Sequence, residues 1–176
     1  NGSVLLFGGL AGTTRLDDTW EWDGSNWLAR HPATLPPRRH FHCMGFMPSL
    51  NGIVLFGGVN GPTTFADTWR WDGSDWASAN SPISPSPRSA SSIVYDTSIA
   101  RCLLFGGWDG SSSLNDTWTF DGTTWSGVPA AAASTFGVGC PGSNGTPVLA
   151  PLNLPALGAN FLVQASNLPT AGSTLN

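Results

Sequence analysis

Short apolar stretches ending in paired glycines punctuate the chain, at Val4 to Gly9, Ile53 to Gly58 and Cys102 to Gly107. Each is bounded by turn residues and too short for a buried helix, so each reads as a strand. Phe7-Gly8-Gly9 returns as Phe56-Gly57-Gly58 and Phe105-Gly106-Gly107, each time 49 residues on. The same spacing carries Asp18-Thr19-Trp20 to Asp67-Thr68-Trp69 and Asp116-Thr117-Trp118. It also carries Trp22-Asp23-Gly24 to Trp71-Asp72-Gly73 and Phe120-Asp121-Gly122, and Trp27 to Trp76 and Trp125. Arg39 aligns with Arg88, Met44 with Ile93 and Phe46 with Tyr95, with no insertion between them. A fixed period of this size marks an array of like supersecondary units.

Turn residues divide each unit into four short strands. The first is predicted over about Arg39 to Phe46 (Arg88 to Tyr95) and the second over about Ile53 to Gly58. A third is predicted over about Asp67 to Trp71, and a fourth begins at Trp76. Four antiparallel strands in a repeat of this length describe the blade of a β-propeller, so the expected fold is all-β with very little helix. The Gly-Gly pair permits positive φ where backbone approaches backbone. Trp20 and Trp22, two apart, share a face of their strand and are expected to fill the wedge between neighbouring blades. Asp-Gly between two aromatics is a tight hairpin signal. Residues that recur in every unit read as scaffold, because repeated joints need like residues while a site does not.

The order Arg39-His40-Phe41-His42-Cys43-Met44-Gly45-Phe46, then Phe56-Gly57-Gly58, Asp67-Thr68-Trp69 and Trp76, resembles Kelch repeats over about residues 3 to 130. The variant is similar to that of secreted bacterial proteins with galactose-oxidase-like central domains. The resemblance implies Kelch-type blades, one partial and two complete, forming part of a ring across residues 1–129. So few blades leave open edges, to be covered either by blades outside these residues or by further copies. The polar start Asn1-Gly2-Ser3 is neither a signal peptide nor an initiator Met, so the first residue given is expected not to be the first translated. Residues 130–136, rich in Ala, read as a linker, and 137–176 as a β-rich tail with a strand in Asn160 to Leu168. Gly139-Cys140-Pro141-Gly142-Ser143, Pro155, Gly158 and Ser166-Asn167-Leu168-Pro169 resemble the start of a C-terminal β-sandwich module of secreted proteins from planctomycete-like bacteria.

Charge narrows the partners. All seven cationic side chains are Arg, Glu21 is the only Glu, and the formal net charge is -4. No electrostatic attraction draws such a chain to nucleic acid, and no apolar run is long enough to span a membrane as a helix. Three cysteines, Cys43, Cys102 and Cys140, form no Cys-x-x-Cys pair and no disulfide framework, though Cys140 is compatible with a partner further downstream.

Candidate binding residues are those that break the repeat in the stretches after the second strand (Leu10 to Asp17, Val59 to Ala66, Trp108 to Asn115) and between units (Leu28 to Arg38, Ala77 to Pro87). They are Arg15, Arg38, Asn60, Phe65, Trp108 and Asp109, with His31 beside them. Trp108 next to Asp109 is an apolar platform beside an acceptor, the pairing most suited to a sugar. His40 and His42, two apart on a predicted strand, begin a metal site, but no third ligand accompanies them, so no metal or other cofactor is expected. The galactose-oxidase resemblance implies testing for a copper-radical centre, which needs Tyr ligands, one cross-linked to Cys, and two His. Tyr95 is the single tyrosine and a repeat position, so that centre is not supported in these residues. The sialidase Ser-x-Asp-x-Gly-x-Thr-Trp box fails by one residue between Asp23 and Trp27. No Gly-x-Ser-x-Gly elbow, P-loop or dinucleotide fingerprint occurs. The expected function is a secreted or cell-surface, non-catalytic module that binds a carbohydrate or protein ligand. Two alternatives stand: a fragment of a galactose-oxidase-like or glycan-active enzyme with its catalytic residues elsewhere, and a self-assembling surface protein forming homo-oligomers.

Overall fold

A computed structural model describes residues 2–129, 149–151 and 163–165. The chain divides into two compact units, Asn1–Pro129 and Ala130–Asn176. In the second, β14 (Leu149–Pro151) pairs antiparallel with β15 (Val163–Ala165). The predicted linker at 130–136, Cys140 and the rest of the predicted Asn160 to Leu168 strand lie outside the described residues.

The first unit is all-β. Its first sheet runs β1 (Val4–Ala11), β2 (Thr14–Trp22), β3 (Trp27–Arg30). The second sheet has β4 (Cys43–Met47) beside β5 (Gly52–Phe56), then β8 (Thr68–Trp71) and β9 (Trp76–Ser78). A small ribbon, β6 (Val59–Asn60) and β7 (Thr63–Thr64), projects between β5 and β8 in sequence. The third sheet is β10 (Ser92–Asp96), β11 (Arg101–Trp108), β12 (Ser113–Phe120), β13 (Trp125–Val128). All pairings within these sheets are antiparallel, and the register repeats with the sequence period: Val4 faces Trp22, Ile53 faces Trp71 and Cys102 faces Phe120. One 3-10 turn, Pro48–Leu50, links β4 to β5.

Two sequence expectations are corrected. The first strand begins at Cys43 and Ser92, four residues later than predicted, because Arg39 and Arg88 turn their side chains into the interior. Phe41 and Ala90 then take left-handed backbone, with φ of 57° and 53°, which breaks the extended run. The stretches Leu10 to Asp17 and Trp108 to Asn115 are hairpins rather than long loops. Strand pairing continues past a register shift at the Gly-Gly pair and closes in short turns at Gly12-Thr13 and Asp109 to Ser112.

Neighbouring sheets are joined twice in the same way. Trp76 Nε1 donates to Thr19 Oγ1 at 3.0 Å while its ring meets Phe7 edge-on at 5.2 Å; Trp125 Nε1 donates to Thr68 Oγ1 at 2.9 Å and meets Phe56 at 5.1 Å. The fourth-strand Trp shares this space with the third-strand aromatics, Trp71 beside Trp76 and Phe120 beside Trp125. The carbonyl of Arg39 accepts the Gly9 N–H at 2.9 Å, and that of Arg88 accepts the Gly58 N–H at 2.8 Å. A Cβ on Gly57 would meet the Arg88 carbonyl oxygen, so this close approach requires glycine. Within each following sheet the arginine side chain, fully buried, donates to both carboxylate oxygens of Asp67 (2.6 and 2.7 Å) or Asp116 (2.6 and 2.9 Å) and to the carbonyl of Gly57 or Gly106. The core around these joints comprises Cys43, Met47, Val54, Phe56, Cys102, Leu104, Phe120 and Trp125 on one side and Phe7, Leu55, Trp71 and Trp76 on the other.

Breaking a buried ion pair costs about 3–5 kcal/mol. Asp116 is 40% exposed, so Arg88→Ala should fall near the lower end, about 3 kcal/mol in chemical denaturation. Ala90→Gly should act in the opposite direction, raising stability by roughly 0.5–1 kcal/mol, since glycine relieves the left-handed strain at a smaller entropic cost.

Candidate functional site

The six candidate residues do not form a single cluster: among the described residues, no hydrogen bond, ion pair or ring contact joins any two of them. Arg38 pairs with Asp17 at 3.0 Å on the surface. Arg15 faces Leu10 across the β1–β2 hairpin, with its Nε buried and unpartnered, and Asn60 faces Thr63 in the ribbon. Phe65 belongs to the scaffold, because its ring lies 4.1 Å from Cζ of Arg39 and its carbonyl accepts the Arg88 N–H at 3.0 Å. Asp109 is committed to its turn, where Oδ1 accepts the N–H groups of Ser111 and Ser112 at 2.7 Å each. Those backbone bonds hold its carboxyl down at about 2. Trp108 bridges Ser89 through its backbone and is 45% exposed as a residue, while the neighbouring Asp109 is committed to its own turn. His31 stands apart, lining a cavity of about 270 Å³ with Asp17, Asp18, Trp20 and Leu35.

His40 and His42 precede the strand, and the left-handed turn at Phe41 separates them. The His40 ring packs against Phe41 at 4.7 Å, whereas that of His42 meets Phe7 edge-on at 5.7 Å. Among the described residues no three potential ligands gather into a metal site. Cys43 and Cys102 are buried free thiols whose pKa burial raises to about 11, which leaves them unreactive.

A second cavity lies between the first two sheets. It is a groove of about 620 Å³, lined by Ser3, Glu21, Arg30, Phe46, Asn51 and Asp72 among others. Register places Ser3, Glu21, Phe46, Asn51 and Asp72 near the Val4–Trp22 and Ile53–Trp71 ends, while Arg30, paired with Thr19, reaches Glu21 through its side chain. Arg30 pairs with Glu21 at 2.6 Å, and hydrogen bonds from Ser3 and Arg30 hold the Glu21 carboxyl below its ordinary range. Backbone N–H groups of Asp75 and Ser74 do the same for Asp72. Phe46 is 51% exposed. The groove therefore sets fixed charges and hydrogen-bonding groups beside an aromatic surface. Its signal was present in the sequence: Glu21 aligns with Arg70 and Thr119, and Arg30 with Ala79 and Val128. Glu21 falls on a strand outside the variable stretches, and Arg30, within the Leu28 to Arg38 stretch, ends a strand and is not among the candidates named there.

No protein-family model matches the chain, and no curated protein does. The fold is all-β with several antiparallel sheets. No helix among the described residues is long and apolar enough to cross a membrane.

The burial of His42 has a pH consequence. Burial first, then the charges of Arg39 and His40, lowers its pKa from 6.5 to about 4 in the folded protein. Because the unfolded chain takes up the proton first, this residue is neutral to stability above pH 6.5 and removes stability as pH falls from 6.5 toward 4. His42→Ser, which installs the residue found at the equivalent Ser91, should flatten that part of a denaturation-midpoint profile; an unchanged slope would assign it to other groups.

Proposed function

We propose that the repeated sheets are blades of a Kelch-type β-propeller and that the protein is a secreted, non-catalytic module binding a carbohydrate or protein ligand. One observation carries this reading: the residues common to the joints are spent on structure, while the repeat-breaking pair Glu21 and Arg30 lines a groove beside Phe46 and Asp72. Arg39, Arg88, Thr19, Thr68, Trp76 and Trp125 are fully buried and satisfied in structural roles. Glu21, Arg30 and Phe46 line accessible space. An aromatic ring beside carboxylates already fixed by hydrogen bonds suits the alternating apolar and hydroxyl surfaces of a sugar. Preset polar groups lose little freedom on binding.

The test is a screen of arrayed oligosaccharides followed by calorimetry on any ligand found. Phe46→Ala and Glu21→Gln should each weaken affinity about tenfold or more, the loss expected when one packed or charge-assisted contact is removed. Trp108→Ala should leave affinity unchanged. Loss with Trp108→Ala alone would move the site to the hairpins beyond the Gly-Gly pairs. Binding to no arrayed glycan and to no peptide would end the reading.

A further inference from the structure

An Asp or Asn followed by Gly is a point where a polypeptide can attack itself, because glycine has no Cβ to keep its nitrogen from closing on the preceding side-chain carbonyl. Among the described residues these pairs are Asp23-Gly24, Asn51-Gly52, Asn60-Gly61, Asp72-Gly73, Asp109-Gly110 and Asp121-Gly122. Local structure separates them. Each of the four Asp residues uses Oδ1 to accept the N–H groups of the residues two and three further on, at 2.7–2.9 Å. Those bonds hold the carboxyls below their ordinary range and therefore ionised at neutral pH. An ionised carboxylate is a poor electrophile, and its engaged oxygen holds it in the turn.

The two Asn-Gly pairs differ in their backbone. Asn51 is left-handed, with φ of 45° and ψ of 40°, and its N–H donates to the carbonyl of Pro48 at 3.0 Å. Gly52 is buried and faces Met47, and a Cβ on it would meet the carbonyl oxygen of Trp71, so this peptide has no room to turn. Asn60 ends β6 in a ribbon of two residue pairs, facing Thr63 across the exposed turn Gly61-Pro62. Nothing lies within 4 Å of where a Gly61 Cβ would be. Among the described residues no hydrogen bond holds the Asn60 amide, whereas the Asn80 amide oxygen accepts the Thr68 N–H at 2.8 Å. A two-stranded ribbon is marginal by itself, and its tip opens at little cost compared with a strand in a four-stranded sheet.

We propose that Asn60-Gly61 is a self-modification site at which the folded protein converts an amide to a carboxylate. When the tip opens, the Gly61 nitrogen attacks Cγ of Asn60. The new N–Cγ bond closes a succinimide, the Cγ–Nδ2 bond breaks, and the proton lost by the Gly61 nitrogen leaves with ammonia. Water then adds to one of the two ring carbonyls. Cleavage of the bond from Cγ to the Gly61 nitrogen gives aspartate; cleavage of the bond from the main-chain carbon gives isoaspartate. No oxidant or reductant takes part. Either product places a negative charge at the ribbon tip, and isoaspartate also lengthens the backbone there by one atom, which unpairs residue 60 from Thr63. This assignment is independent of the groove and its ligand.

The test follows the folded 176-residue protein in neutral buffer made with heavy-oxygen water, with peptide fragmentation in a mass spectrometer assigning each position. Heavy oxygen enters only carboxyls made during the incubation. Label is expected at residue 60 as a mixture of aspartate and isoaspartate, at least about tenfold faster than at Asn51, the ratio that a modest difference in local opening produces. In denaturant both peptides are open and the two rates should converge. Asn60→Gln, which must close a larger and slower-forming ring, should abolish labelling at residue 60 and leave Asn51 as it was. Equal rates at Asn51 and Asn60 in the folded protein would overturn the proposal. So would label at the Asp-Gly pairs matching that at Asn60, or a folded protein unlabelled at Asn60 under conditions that label it in the denatured chain.

Discussion

A guanidinium buried between two β-sheets constrains the rest of this molecule. Arg39 and Arg88 have no exposed side-chain surface, and a charge in that position is tolerable only if it is paired and its N–H groups are satisfied. The requirement propagates outward. A carboxylate must stand at Asp67 and Asp116, an indole N–H must hold it from two residues on, and a glycine carbonyl must turn toward the same nitrogen. The arginine backbone meanwhile closes on the preceding sheet through Gly9 or Gly58. One residue thereby ties two sheets, and its neighbours have little freedom to vary.

Much of this was legible because the joint recurs. Three gapless copies of Phe-Gly-Gly and Asp-Thr-Trp mark three like units in the sequence, and the observed registers repeat with that period. What local pattern could not convey was the direction of a side chain. Arg39 to Phe46 alternates plausibly as a strand, yet the inward turn of Arg39 and the left-handed Phe41 delay pairing until Cys43. The stretches after the glycine pairs looked like loops because bulges are invisible in composition; in space they continue as hairpins.

The groove was less legible, for a related reason. Its lining comes from positions 3, 21, 30, 46, 51 and 72, which only the packing of two sheets brings together. Each departure from the repeat was readable singly, but nothing short of the register shows that Glu21 and Arg30 meet. Conversely, Asp109 and Phe65 looked free in sequence and are engaged in a turn and a joint. Breaking a repeat is thus a poor guide to availability unless the residue's local bonds are also known.

The central claim is that the joints, not the individual sheets, hold the first unit together. Amide hydrogen exchange at Gly9, Gly58, Arg39 and Arg88 measures it directly, since each of these N–H groups bonds across a joint to a carbonyl of the neighbouring repeat. The account expects them to exchange as slowly as central-strand amides such as those of Val54 and Leu104, opening only when the whole unit opens. Exchange at the rate of turn amides such as Ser74, with the strands still protected, would mean that the sheets separate readily and would contradict it.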